Sequence, residues 1–334
     1  MSERKVECLF LSKSEVESLI TRKDIIDAVE IAFMAAGTGQ LVQPQKDPMW
    51  MDLPDKKNFL IAMPTYLKSI NTAGIKWANL YWNRGDSDIP ATFGDIIILN
   101  KPETGLPYAI MDGTAITNLR TAGGHAVVSA KHLAKKDSNT LAIIGCGAEA
   151  YTGFPAFMDN FPIEQVKICD IRPEAMDTLQ KEMSKEFSVP ISASTSAQES
   201  VKGADIILMI TSSPDPVVLE QWVEPGCFVA GTFGFYDLDP MLSKKADKWI
   251  LGSRQSDEHL IINAGGGSPL SVEITKDDVY ADMGEIVAGV RPGRENDQER
   301  IVFTHLGMGA HDISLAQIAY TKAVEEEIGI KVYL

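Results

Sequence analysis

The sequence predicts an α/β protein in which a doubly wound parallel sheet is inserted into a separate α+β domain. Three observations predict it. A strand, a glycine turn, a helix, a second strand and an acid follow one another from Thr140 to Asp170. From there to Leu251 short apolar runs alternate with helical stretches, the signature of a parallel sheet. The first third carries helices and then strand-like runs, and a last helix at about 312–328 has enough apolar positions to return and pack on that first domain.

In chain order, VECLFL at 6–11 reads as a first strand, and Ser14 with Glu17 three residues on reads as a capping box. Residues 22–36 place apolar side chains at 25, 26, 29, 32 and 33, one stripe of a helix that Gly37 and Gly39 end. A loop rich in proline and aspartate covers 40–58. Strand-like runs follow at 59–63, 74–80 and 95–99, and PETGLP at 102–107 turns the chain into a strand at 107–111. Residues 112–134 form a long helical pattern that leads into the strand opening at Thr140. After Asp170 come a helix at about 173–187, a strand near 189–192, a short helix at 196–202, and buried strands at 205–211, 227–233 and 248–251. Residues 282–309 read as glycine-rich and polar. The expected division is 1–118 with 313–334 against 119–312.

The central stretch carries the chemistry. Leu141–Ile144 is a short buried strand. Gly145 lets the chain turn off it, and Gly147 has no side chain to keep a pyrophosphate from the backbone. Ala148 and Glu149 complete the turn, and Ala150 is small enough for the following helix to pack close to the sheet. That helix is interrupted early by Gly153 and Pro155. Its first turn presents free N–H groups and a positive dipole end to a phosphate. Asp170, twenty residues beyond Ala150, stands where an acid accepts the ribose hydroxyls of NAD. Arg172 leaves NADP open, but an acid at the strand end repels a 2′-phosphate, so NAD is the expected cofactor. Ligands bind at the carboxyl ends of such strands, which places Thr211, Ser212 and Gly231 to Gly234, Thr232 among them, near it.

Composition narrows the rest. The chain has 334 residues, 45% hydrophobic and 23% charged, with a net charge of −15 that argues against a nucleic-acid partner. No apolar run reaches the roughly 18 residues of a membrane span. MSERKVECLFLSKSEVESL has acids within its apolar part and no signal-peptide cleavage pattern, so the expected location is cytoplasmic. Cys8, Cys146, Cys169 and Cys227 share no metal-ligand spacing and read as reduced structural thiols. The five histidines form no HExxH or similar cluster, so no metal is expected.

A substrate site needs groups facing the cofactor. Lys46, Lys76, Arg84 and Arg120 are the basic candidates in the first domain. Lys76 stands mid-strand among apolar residues, where it is either buried and set for proton transfer or turned to solvent by alternation. Arg120 on the bridging helix is either a surface arginine or a fixed fork for a carboxylate. Asp237 and Asp239, in GFYDLDP, are either a general base or turn and cap residues. His305 and His311 flank a glycine turn and either shuttle a proton or are structural.

These residues together resemble the ornithine cyclodeaminase/μ-crystallin family over nearly the whole chain. The resemblance rests on AMPTYL at 62–67, GIKW at 74–77, LNKPETGLPYAIMDGTAITNLRTA at 99–122, IIGCGAEA at 143–150, EIVAGVRPGR at 285–294 and FTHLGMGAHDISLA at 303–316. It implies a homodimer, a Rossmann domain, and a substrate-binding and dimerisation domain made of the N-terminal third and the last helix. It implies NAD or NADP acting on amino acids or imines. By motif, Lys76 matches the family's substrate-binding lysine and Arg120 its carboxylate-binding arginine. Thr121 lies on the cofactor, and Ala148, Glu149, Asp170 and Thr211 fall on nucleotide contacts. The backbone at 230–233 and His305 belong to the nicotinamide side. The chain departs from the family at three places: Lys46 replaces a frequent arginine, Ala91 a frequent threonine, and Phe235 the acid that cyclodeaminases carry after a late strand. Phe235 cannot partner a distal amine, although Asp237 is only two residues on, as a tentative acid/base. The leading expectation is an NAD-dependent oxidoreductase that interconverts a small amino acid with its imine or keto acid. A cyclodeaminating lyase with catalytic NAD and a non-catalytic ligand-binding protein remain the alternatives.

Overall fold

The computed structural model describes residues 5–53, 56–81, 93–232, 237–263 and 274–334. The chain divides into two compact units, Met1–Arg120 with Met308–Leu334, and Thr121–Gly307. In chain order the strands are β1 (Glu7–Leu11), β2 (Leu41–Val42), β3 (Met49–Leu53), β4 (Lys56–Leu67), β5 (Thr72–Leu80), β6 (Ile96–Asn100), β7 (Pro107–Asp112), β8 (Thr140–Ile144), β9 (Gln165–Cys169), β10 (Ile191–Ser194), β11 (Ile206–Met209), β12 (Phe228–Gly231), β13 (Lys248–Leu251), β14 (Ala281–Asp282), β15 (Ile301–Thr304) and β16 (Ile330–Tyr333).

The first unit is a mixed sheet with strand order β16-β1-β7-β6-β5-β4-β2, and β3 also pairs with β4. The helix Gly309–Glu325 packs on β4, β5 and β6 and on the helices Arg22–Gly37 and Gly113–Arg120. One face of the sheet is therefore core. Period-2 alternation sends Met63, Lys76, Ile97 and Met111, which share one register row, onto that face, and all four are buried. The next row, Ala62, Trp77 and Ile96, falls on the opposite face, where Trp77 and Ile96 are exposed.

Local chemistry sets the ends of these elements. The first helix, Lys13–Leu19, is capped by Ser12 with Glu15, two residues earlier than the box expected from Ser14 and Glu17. The box needs an acid whose carboxylate reaches back to the N-cap N–H, and Glu15 does so at 2.7 Å. The last helix spans Gly309–Glu325 rather than 312–328, and β16 follows it.

The second unit is an eight-stranded sheet in the order β10-β9-β8-β11-β12-β15-β13-β14, every pairing parallel. Strands β8, β11, β12, β13 and β15 are apolar and buried almost throughout, as strands covered on both faces must be. The strand order reverses between β8 and β11, where a doubly wound sheet opens its ligand crevice. Two expectations are corrected here. The helix Ala150–Asn160 runs through Gly153 and Pro155 without interruption. A Cβ on Gly153 would stand 2.9 Å from Ala122 Cβ and from Leu208 Cδ2, so this glycine is a contact point of helix and sheet rather than a break. The polar 282–309 stretch also contains β15, a central strand between β12 and β13. The bridging segment is an α-helix over Gly113–Arg120, a π-helical turn over Thr121–Ala126 and a second α-helix over Val127–Leu133. Among the described residues no helix is long and apolar enough to cross a membrane.

Candidate active site

In the second unit the nucleotide candidates line up on one edge of the sheet. Gly145 to Ala150 follow β8, Asp170 follows β9, Thr211 lies just beyond β11, Gly231 ends β12 with Thr232 next to it, and His305 follows β15. All these strands run parallel, so their carboxyl ends share that edge. Gly145 has φ +104°, and a Cβ there would meet Ile210 O at 2.7 Å, so only glycine makes this turn without strain. A Cβ on Gly147 would meet nothing within 4 Å. The space beside its backbone is open, as a pyrophosphate lying on the first turn of Ala150–Asn160 requires. Thr121 is buried in the π-helical turn, which packs against that same helix. Glu149 is the residue before the helix, and Ala150 is its first residue and fully buried.

The Asp170 carboxylate closes the turn. It accepts Cys146 N–H at 2.8 Å through one oxygen, and Arg172 N–H at 2.9 Å and Nε–H at 3.3 Å through the other. Burial opposes its ionisation, but the two backbone donors and the Arg172 guanidinium outweigh it and hold the carboxyl below the ordinary range. An ionised acid at this strand end suits ribose hydroxyls. The residues present thus fit a dinucleotide: an open cradle, a helix start and a fixed acid.

Thr211 donates its hydroxyl to Asp237 at 2.9 Å, which brings two sequence candidates together. Asp237 is buried, and burial pushes its carboxyl up to about 6 against the pull of the Thr211 hydroxyl. Asp239 is a cap: it accepts Met241 N–H at 2.9 Å at the start of Pro240–Lys245 and Glu220 N–H at 2.9 Å. Thr232 turns its hydroxyl to Met209 O at 3.1 Å. His305 donates its backbone N–H to Gly231 O at 3.0 Å, and its Nδ1 lies 2.6 Å from Asp257 Oδ2. Asp257 escaped the sequence reading. It is a fully buried acid whose carboxylate also accepts Ser253 N–H at 3.2 Å, and no local pattern announces it.

The first unit holds the other cluster. Lys76 is on the core face, 2% exposed, so alternation buries it rather than turning it to solvent. Its Nζ donates to Asp312 Oδ1 at 3.1 Å and to Thr117 Oγ1, and lies 3.5 Å from Asp95 Oδ2. Arg120 is 6% exposed, and its Nε donates to the same Asp312 Oδ1 at 3.2 Å. Two cations 44 residues apart in sequence thus meet on one carboxylate oxygen. Burial works against ionisation of Asp312, but Arg120 and Lys76 prevail and hold its carboxyl below the usual range. Asp312, Thr117 and Asp95 were missed as site residues. Asp312 stood inside a quoted motif, in the first turn of a helix where an acid reads as dipole compensation. Lys46 is also buried, at 4% exposed. Phe235, Ala91 and Arg84 lie outside the described residues.

The four cysteines are buried free thiols, and burial pushes Cys146 and Cys227 up to about 12, so both stay protonated at neutral pH.

The chain is similar to known proteins over nearly its whole length. The model of the ornithine cyclodeaminase/mu-crystallin family matches residues 6–327. An alanine dehydrogenase of Archaeoglobus fulgidus is 35% identical over 338 residues, covering 98% of each chain. A Thermococcus litoralis Δ1-pyrroline-2-carboxylate reductase, solved with NADH and L-proline, superposes with a TM-score of 0.86 at 32% identity over 97% of this chain and 100% of that one. An archaeal alanine dehydrogenase dimer with bound NAD gives 0.86 at 31% identity over 98% and 99%. The chain belongs to the ornithine cyclodeaminase/mu-crystallin family.

Proposed function

We propose that the protein is an NAD-dependent oxidoreductase of the C–N bond, interconverting a small α-amino acid with its imine or keto acid. The relatives support the reaction class, since an alanine dehydrogenase and a pyrroline-2-carboxylate reductase both move a hydride at a carbon bearing nitrogen and carboxylate. The observation that carries it is Arg120. Its guanidinium is anchored through Nε alone among the described residues, so the terminal nitrogens of the fork remain for a substrate carboxylate.

The roles follow from geometry and chemistry. Gly147 and the start of Ala150–Asn160 receive the pyrophosphate, and Asp170 takes the ribose hydroxyls. The nicotinamide supplies or accepts the hydride. Arg120 holds the substrate carboxylate, which fixes the α-carbon at one distance from the protein. Lys76 binds the carboxylate or carbonyl oxygen and passes a proton to the Thr117 hydroxyl and Asp95 behind it. Asp237 is the acid/base on the strand-end side, and its raised carboxyl holds or releases a proton near neutrality.

The reading extends to assembly and location. The outer face of the first unit's sheet, carrying Ala62, Pro64, Trp77 and Ile96, is the surface of a homodimer. Four reduced cysteines accord with the cytoplasm.

The test is reductive. The protein is incubated with NADH and, in separate arms, pyruvate with ammonium, Δ1-pyrroline-2-carboxylate and other cyclic imines. Oxidation of NADH in one carboxylate-bearing arm, with KM raised many-fold in Arg120→Gln, is the expected result. No oxidation in any arm, with NADH or NADPH, would reject the reading.

A further inference from the structure

Asp312 is fully buried. Its Oδ1 accepts both Arg120 Nε–H and Lys76 Nζ–H, while its Oδ2 has no hydrogen-bond partner among the described residues. Neither oxygen reaches solvent. It is the shared partner of the two cations that the functional reading places on a substrate carboxylate.

The energetics give it a task. Two cations held side by side in a poorly solvated site repel each other and favour conformers that separate them. A single carboxylate oxygen shared between them offsets both charges and fixes their spacing. Its attachment to Arg120 is also directional. A guanidinium has donors at Nε and at two terminal nitrogens in one rigid plane. Engaging Nε from behind leaves the terminal edge facing away from Asp312, and fixes the plane in which a substrate carboxylate can be met bidentately. The first turn of Gly309–Glu325 supplies this acid from a rigid element packed on β4, β5 and β6. Asp95, the second acid at Lys76, does not share the task. Its carboxylate accepts Asn79 N–H and Nδ2–H, each at 3.0 Å, and no bond from Arg120.

We propose that Asp312 is the positioning residue of the substrate site: it acts through Arg120 and Lys76, setting the plane of the arginine fork and the place of the ammonium, and contacts no substrate itself. The proposal rests on the oxidoreductase reading above and deepens it, because it makes carboxylate recognition depend on an acid.

A double-mutant cycle tests it. Wild type, Asp312→Asn, Arg120→Gln and the double variant are compared for KM and kcat with the carboxylate substrate, NADH affinity by fluorescence, and melting temperature without ligands. Asp312→Glu is added as the charge-preserving variant. The expected result for Asp312→Asn is a KM raised by about tenfold or more, the scale of a lost charge-assisted hydrogen bond, with NADH affinity within about twofold. In the Arg120→Gln background the same change should raise KM much less, because only Lys76 of the two residues it acts through is left. Asp312→Glu should recover part of the loss.

Two results overturn the proposal. One is an unchanged KM in Asp312→Asn, or a KM effect of equal size with and without Arg120. The other is parallel loss of NADH affinity and melting temperature in Asp312→Asn with no such coupling in the double variant, which would make Asp312 merely structural. The double variant removes one buried charge of each sign, so it stays readable if Asp312→Asn folds poorly. Failure of the functional reading shows separately, in the wild-type arm. A wild type that neither turns over nor binds any carboxylate overturns both, since the arginine fork would have nothing to hold.

Discussion

At Asp237 burial and hydrogen bonding pull in opposite directions, and burial wins. Its carboxyl is raised from 3.8 to about 6, above its unfolded value, so its stabilising contribution is present below 3.8 and lost as pH rises through about 6. Asp237→Asn keeps an acceptor for the Thr211 hydroxyl and removes the buried charge. Thermal melts should show this variant more stable than wild type at pH 8, by at most about 3 kcal/mol for a shift of this size, and no more stable at pH 4. The same variant should lose the limb of the pH–rate profile near 6 if the carboxyl moves a proton in the reaction. Asp170 makes a second prediction. It is the acid that repels a 2′-phosphate, and Arg172 already lies 3.3 Å from it. Asp170→Ser should shift the NAD-to-NADP preference toward NADP by about an order of magnitude in kcat/KM, roughly 1.4 kcal/mol.

The sequence made some of these residues legible and hid others. Gly145, Gly147 and Asp170 could be singled out as candidates because a pyrophosphate constrains backbone that is local in sequence. Lys76 was not decidable from pattern. Its strand carries apolar residues on both faces, with Ile75 and Trp77 flanking it, so alternation gives no inside or outside. Asp312 was hidden because its partners lie 236 and 192 residues away, a distance that no periodicity reports.

At the scale of elements, the glycine turn and its helix separate folding from binding. A Cβ on Gly153 meets Ala122 and Leu208 at 2.9 Å, whereas a Cβ on Gly147 meets nothing. Gly153→Val should therefore destabilise the fold by about 1–3 kcal/mol through overpacking, read by denaturant titration. Gly147→Val should leave stability nearly unchanged but weaken NADH binding, read by fluorescence titration, because its side chain would fill the space left for the pyrophosphate. Equal stability losses in both variants would contradict this division. The element the sequence concealed is β15. Its three apolar residues, Ile301 to Phe303, and Thr304 are flanked by polar chain, and only pairing with β12 and β13 makes them a strand. Conversely, Gly153 and Pro155 read as breakers, yet the helix continues because its packing on the π-helical turn and the close approach of Gly153 to Leu208 outweigh their local cost.

For the whole molecule, the proposed homodimer uses the exposed apolar row of the first unit's sheet. Trp77→Glu places a charge in that row, on the face opposite Lys76. Sedimentation should show the variant shifted toward monomer while NADH affinity is kept. A wild type that is monomeric at micromolar concentration would contradict the assembly. The central claim is net redox chemistry at a C–N bond, and its most direct test is stoichiometric. The protein is given NAD and a panel of L-amino acids including alanine, proline, ornithine and lysine, with NADH absorbance, free ammonia and substrate consumption followed in one reaction. The account predicts one NADH formed for each substrate molecule oxidised, with matching ammonia wherever the amine is not in a ring. Ammonia released from ornithine or lysine with no accumulation of NADH would contradict it and make the protein a cyclodeaminase.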